Sequence, residues 1–276
     1  MTAGAFFRRW PLARIFLGKM KRAQRGRVQQ GMAPMLREDD RDLGPATGLA
    51  GPTLAAGPAA DDAWRWSLNW SEIRSDLLIG SCPMGLADIE RILGETKASA
   101  ILSLQSDACR GAFAIDYETH RAYGEAAGAA MVNAPMLDFD PPDQRRSLPT
   151  AVRALTALLA GGRRVYVHCT AGINRSPLVV LGYLAFVETM DPGEALGFIR
   201  EARPEAEPSW EAFAGARADL VETLRPFIHV RAYYLHQQRA EHDPAKNWLA
   251  AETDVIRQAF VSPRSLPQIR LDPSRA

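Results

Sequence analysis

The chain has 276 residues, 47% of them hydrophobic, and a formal net charge of +1. That length and apolar content suit one medium globular domain with appendages, and the near-neutral balance excludes a global pull on nucleic acid or anionic membrane. Three cysteines (Cys82, Cys109 and Cys169) are too few for a disulfide framework and lack zinc-ligand spacing; no run is long and apolar enough to span a membrane, and no metal or cofactor is implied.

Residues 1–63 read as a basic extension followed by a linker. The first 37 residues carry many arginines and lysines and no acid. The stretch 6–17 has targeting-like amphipathic character, and a disordered basic extension explains it equally well. Residues 38–62, rich in Gly, Pro, Ala and Asp, read as linker. A catalytic-sized domain is expected over 64–226, starting near Trp64. Strands are expected at 77–79, 98–104, 130–134 and 164–168. Helices are expected at 85–93, 117–127, 148–160, 177–188, 192–202 and 209–224. Strands alternating with helices imply an α/β fold, with helices flanking a central, mostly parallel sheet. A small helical appendage is expected over 227–261, where Tyr233, Tyr234 and Trp248 suit a helix–helix core, with a partner-binding face as the alternative. Residues 262–276 read as a flexible tail.

The most informative run is 164–188. The β-branched and aromatic segment Val165-Tyr166-Val167 leads into His168-Cys169, five residues intervene, and Arg175-Ser176-Pro177 opens a long apolar helix pattern. A cysteine between a strand and a helix N-terminus is placed to attack a phosphate monoester as its thiolate. Backbone N–H groups of Thr170, Ala171, Gly172, Ile173 and Asn174 form a nest for anions beside the helix terminus. Gly172 supplies the conformational freedom that the curl requires. Arg175 offers a planar fork matched to two phosphate oxygens. Ser176 brings a hydroxyl to the sulfur, and His168 orients the loop rather than acting as base. A Gly-rich nucleotide loop is disfavoured because no Gly-Lys-Ser/Thr follows. A working thiolate argues for a reducing compartment, hence the cytoplasm. The alternative is a plastid or other organelle, if the N-terminus is a transit segment. Cys82 and Cys109 are candidate resolving thiols.

Ester cleavage also needs a proton for the leaving oxygen. The stretch Met136-Leu137-Asp138-Phe139-Asp140-Pro141-Pro142-Asp143 follows one expected strand and precedes a helix expected to begin near Ser147. Asp138 is the first candidate for the acid and Asp140 the second; Asp143 reads as helix-entry chemistry.

His-Cys-x5-Arg-Ser with an upstream Asp loop resembles the cysteine-dependent phosphatases of the dual-specificity branch. Residues 70–224 are most similar to the glucan phosphatases, the plant starch-excess enzymes and laforin. The likeness also runs through Leu78-Ile79-Gly80-Ser81-Cys82-Pro83, Leu102 to Asp107, and Ser147-Leu148-Pro149. The resemblance implies Cys169 as nucleophile, Arg175 as phosphate clamp, Asp138 as general acid, and Phe139 and Phe113 as aromatic walls for a glucan chain. It implies phosphorylated polyglucan as substrate and partner, with phosphoprotein hydrolysis as the alternative and a non-catalytic phosphate-binding module as a lesser one. Asn174 stands where the glucan subgroup usually has glycine, which sets the expectation of an asparagine at positive φ. Ala112 stands where the plant enzymes have an aromatic. The segment 229–260 resembles a short bacterial helix-pair module of unknown function, which gives the C-terminal helices a possible protein partner.

Overall fold

A computed structural model describes residues 66–238 and 243–262. The basic extension, the linker, Trp64, His242 and the tail from 263 onward lie outside the described residues. Five strands form one sheet in the order β1-β2-β5-β3-β4, with β1 at Trp70–Arg74, β2 at Leu77–Gly80, β3 at Ala100–Ser103, β4 at Ala130–Asn133 and β5 at Val165–His168. β1 pairs antiparallel with β2, and the other three pairings are parallel. The α/β expectation with a mostly parallel sheet therefore holds. The antiparallel edge strand β1 was not expected. Its sequence WSEIR leaves only Ile73 buried, so it carries too little apolar signal to announce itself.

The period of two in the central strands divides the core. Leu77, Ile79, Ala100, Leu102, Val165 and Val167 face a large cluster on one side. Leu78, Ile101 and Tyr166 face a smaller one on the other, closed by Ile89 and Ile92 of α1 (Leu86–Thr96) and by Tyr123 of α3 (Tyr117–Ala126). A short α2 (Asp107–Ala112) lies between β3 and α3. The larger face is covered by α4 (Pro141–Ala160), α5 (Arg175–Phe186), α6 (Pro192–Ala202), α7 (Trp210–Gln238) and α8 (Pro244–Val261). Nearly every side chain of α5 is buried, as expected of a helix apolar on all sides.

Two expected boundaries move. The helix expected near Ser147 starts at Pro141, because Asp140 accepts the N–H of Asp143 as N-cap and the two prolines occupy the first turn, where their missing N–H groups cost little. The helix expected at 209–224 continues to Gln238 despite Pro226, so the division drawn at 226/227 falls inside a helix. The C-terminal pair also shares the main core: Phe260 of α8 stacks on Phe186 of α5 at 5.8 Å, and Phe186 stacks on Phe213 at 5.2 Å. Tyr233 and Tyr234 do not form the expected helix–helix core. They are 60% and 54% exposed, whereas Trp248 packs edge-on to His229.

Candidate active site

Parallel strands deliver their following loops to one edge of the sheet, which is where open α/β sheets place ligands. β5 is central, and the loop leaving it carries Cys169. The thiol is 3% exposed. Burial alone would raise its pKa; the Arg175 guanidinium, helped by the hydroxyl and N–H of Ser176, outweighs burial and holds the thiol below its ordinary range. Ser176 Oγ donates to Cys169 Sγ at 3.4 Å. His168 is pushed down to about 4 by burial and is neutral at pH 7; its Nδ1 lies 3.0 Å from the Cys169 carbonyl.

Arg175 is fully buried. Its Nη1 donates to the Met136 carbonyl at 3.1 Å and to Cys109 Sγ at 3.2 Å, and its Nη2 donates to Thr170 Oγ1 at 2.9 Å. Its Nε has no protein partner, which leaves a charged donor for an incoming oxyanion. Asp138 Oδ2 sits 2.9 Å from Nη2. Burial raises the Asp138 pKa and outweighs the attraction of Arg175 and a bond from the Phe139 N–H. The cluster thus joins a nucleophile shifted toward its anion and a carboxyl shifted toward its acid, the division of roles that acid-assisted displacement requires.

The two rival acids take other positions. Asp140 is the N-cap of α4, and Asp143 Oδ2 accepts the Leu137 N–H at 2.7 Å; both stabilise the loop that carries Asp138. Phe139 adopts φ 53° and is half-buried, and Phe113, also half-buried, ends α2. Asn174 does not adopt the expected positive φ. It lies at −111°, and the left-handed residue of the loop is Gly172 at 75°. Glycine is therefore not required at position 174. The Asn174 side chain reaches out of the loop, donating to the Glu207 carbonyl at 2.8 Å.

Arg203 is a residue the sequence reading missed. It is 2% exposed and braces the back of the nucleophile loop, donating to the Gly172 carbonyl at 2.7 Å, the Ala171 carbonyl at 3.0 Å and Asn69 Oδ1 at 2.8 Å. A Cβ on Gly172 would lie 2.7 Å from both Arg203 Nη2 and the Gly80 carbonyl oxygen. An arginine at a helix end before proline reads as solvated charge, so no local signal separates it from its neighbour Arg200. Gln144 was also missed. With the helix expected to begin only near Ser147, Gln144 read as a loop residue, and only the earlier start at Pro141 puts it on the buried stripe with Leu148, Val152 and Leu155.

A buried thiol shifted toward thiolate, an arginine with a free donor and a carboxyl held toward its acid form define a cysteine-dependent phosphatase site. The family model described as dual specificity phosphatase, catalytic domain, matches residues 98–214 of the chain. Among curated relatives, the chain is 32% identical over 160 residues to "Phosphoglucan phosphatase DSP4, amyloplastic" of Castanea sativa, a match covering 57% of this chain and 42% of that protein. It is 29% identical over 163 residues to "Laforin" of Mus musculus, covering 55% and 49%. The chain thus spans less than half of the curated relatives it matches. A solved structure titled "Crystal Structure of PTPMT1" aligns over 53% of this chain and 90% of that one, with 22% identity and a TM-score of 0.43. No helix among the described residues is long and apolar enough to cross a membrane.

Proposed function

We propose that the protein removes phosphate from a phosphorylated polyglucan through a phosphocysteine intermediate. The Cys169 thiolate attacks phosphorus and the ester P–O bond breaks. Arg175 and the loop amides hold the equatorial oxygens, and Asp138 gives its proton to the leaving sugar oxygen. Water then attacks the phosphocysteine, the Asp138 carboxylate takes the water's proton, and inorganic phosphate leaves with the thiolate restored. The observation that carries the substrate class is the likeness to a phosphoglucan phosphatase at 32% identity over 160 residues. Phe139 and Phe113, half-buried at the acid loop and at the end of α2, are the proposed sugar-stacking faces. The cytoplasm, a reducing compartment, suits the thiolate.

Phosphoprotein hydrolysis is the second reading, favoured by Asn174 and Ala112 at positions where the glucan subgroup differs. Phosphate release from phosphorylated glucan and from phosphopeptides, measured side by side on one preparation, separates the two. Brisk glucan turnover that falls about tenfold in Phe139→Ala, with small aryl phosphates reduced only a few-fold, supports the glucan reading. Phosphopeptide turnover without glucan turnover overturns it.

A further inference from the structure

The first turn of α4 holds a buried amide that the mechanism above does not use. Gln144 has no exposed surface. Its Nε2 donates to the Leu137 carbonyl at 3.2 Å and to Asn174 Oδ1 at 2.9 Å. Leu137 immediately precedes the acid Asp138, and Asn174 immediately precedes the clamp Arg175. Asn174 passes the connection on, because its Nδ2 donates to the Glu207 carbonyl while the Glu207 N–H donates to the Ile173 carbonyl at 2.7 Å. The amide orientation is fixed by its partners, since reversing it would set an oxygen against two acceptors.

We propose that Gln144 is a positioning residue that ties the acid loop to the nucleophile loop through Asn174, holding Asp138 in register with the phosphate clamp. The inference rests on the phosphatase reading. Its physical support is twofold. The bridge spans two loops that arrive from different strands and share few other bonds. In addition, Gln144 Oε1 is buried without a protein partner. An orphaned buried carbonyl costs stability that an apolar side chain of similar size would not, so this glutamine is a poor choice for packing and a good one for its two donated bonds.

The test is a series of aryl phosphates graded by leaving-group basicity, with Gln144→Leu, Asn174→Ala and the double variant. Loosening the acid matters most where the leaving oxygen is basic. Gln144→Leu should therefore lower kcat about tenfold for the most basic leaving group and less than about threefold for the most activated, with KM little changed. Asn174→Ala removes the same bridge from the other side and should show the same slope even where Gln144→Leu folds poorly. Because both act through one connection, the double variant should lose little more than the worse single one. Equal losses across the series, or additive losses in the double variant, would overturn the positioning role while leaving the phosphatase standing. Absence of turnover of any aryl phosphate by the unmutated protein would remove the phosphatase reading, and this inference with it.

Discussion

The two loops that meet at the site are built in opposite ways. The nucleophile loop leaves the central strand β5, and its carbonyls are tied to neighbours. Thr170 accepts from the Cys82 N–H, Ala171 and Gly172 accept from Arg203, and Ile173 accepts from the Glu207 N–H. The acid loop leaves the edge strand β4. Leu137 is 41% exposed, Phe139 sits at positive φ, and the Asp143 and Gln144 side chains hold the segment to α4. The difference suits the chemistry proposed for each. An anion nest works by donors already aimed before the charge arrives, so any slack costs rate directly. A proton donor has to reach only one oxygen, so a loop held at a few points by the first turn of α4 suffices, and slack there is felt mainly by basic leaving groups.

If the nucleophile loop is the rigid partner, the largest effect belongs to Cys169→Ser. A serine hydroxyl is too weakly acidic for this nest to ionise, so hydrolysis of an aryl phosphate should fall by more than about a thousandfold with the fold intact. A loss under tenfold in purified protein would remove Cys169 as nucleophile.

The acid loop should reveal itself through the leaving group. Asp138→Asn should slow sugar phosphates by about a hundredfold or more and activated aryl phosphates only a few-fold. The same substitution should flatten the basic limb of the kcat/KM profile. The sign for stability follows from the raised pKa of Asp138. Below the ordinary carboxylate range the folded and unfolded chains bind this proton equally. As pH rises toward the raised folded value, the unfolded state releases it first, and wild-type stability falls. Asp138→Asn lacks that loss, so its melting temperature should gain on wild type as pH rises through that window. Parallel melting curves across pH would mean that Asp138 ionises normally.

Removing the brace should come next in size. Arg203→Met keeps the stem but strips the donors from the Ala171 and Gly172 carbonyls. It should reduce kcat about tenfold for every leaving group alike and lower stability by about 2 kcal/mol. A loss graded by leaving group would place Arg203 with the acid loop instead. The smallest effect probes Phe139. Because φ 53° is costly for a side chain but free for glycine, Phe139→Gly should be more stable than Phe139→Ala by about 1 kcal/mol, measured by chemical denaturation. Equal stabilities would show that the turn relaxes in the variants.

The sequence by itself determined where the candidate nucleophile loop and the central strands lie. Cys169, Gly172, Arg175 and Ser176 are contiguous, and local geometry between a strand and a helix suffices to bring them together. Leu77, Val165 and Val167 announce buried strands by apolar runs alone. The sequence ranked Asp138 first and Asp140 second and read Asp143 as helix-entry chemistry, but the physical reason for that order was not legible within one shared polar loop. Only the packing of that loop points Asp138 at Arg175 and turns Asp140 into a cap. Nor were Arg203 and Gln144 legible. Their partners lie 31 and 30 positions away in the chain, and a buried charge or amide looks like a solvated one until the fold surrounds it. The C-terminal helices misled for the converse reason. Tyr233, Tyr234 and Phe260 are all apolar rings on helices, and nothing local says that Phe260 enters the main core beside Phe186 while the two tyrosines face solvent. Short-range pattern fixes which backbone forms; which side chains meet across the fold is decided by long-range packing, and that is where the supporting residues of this site reside.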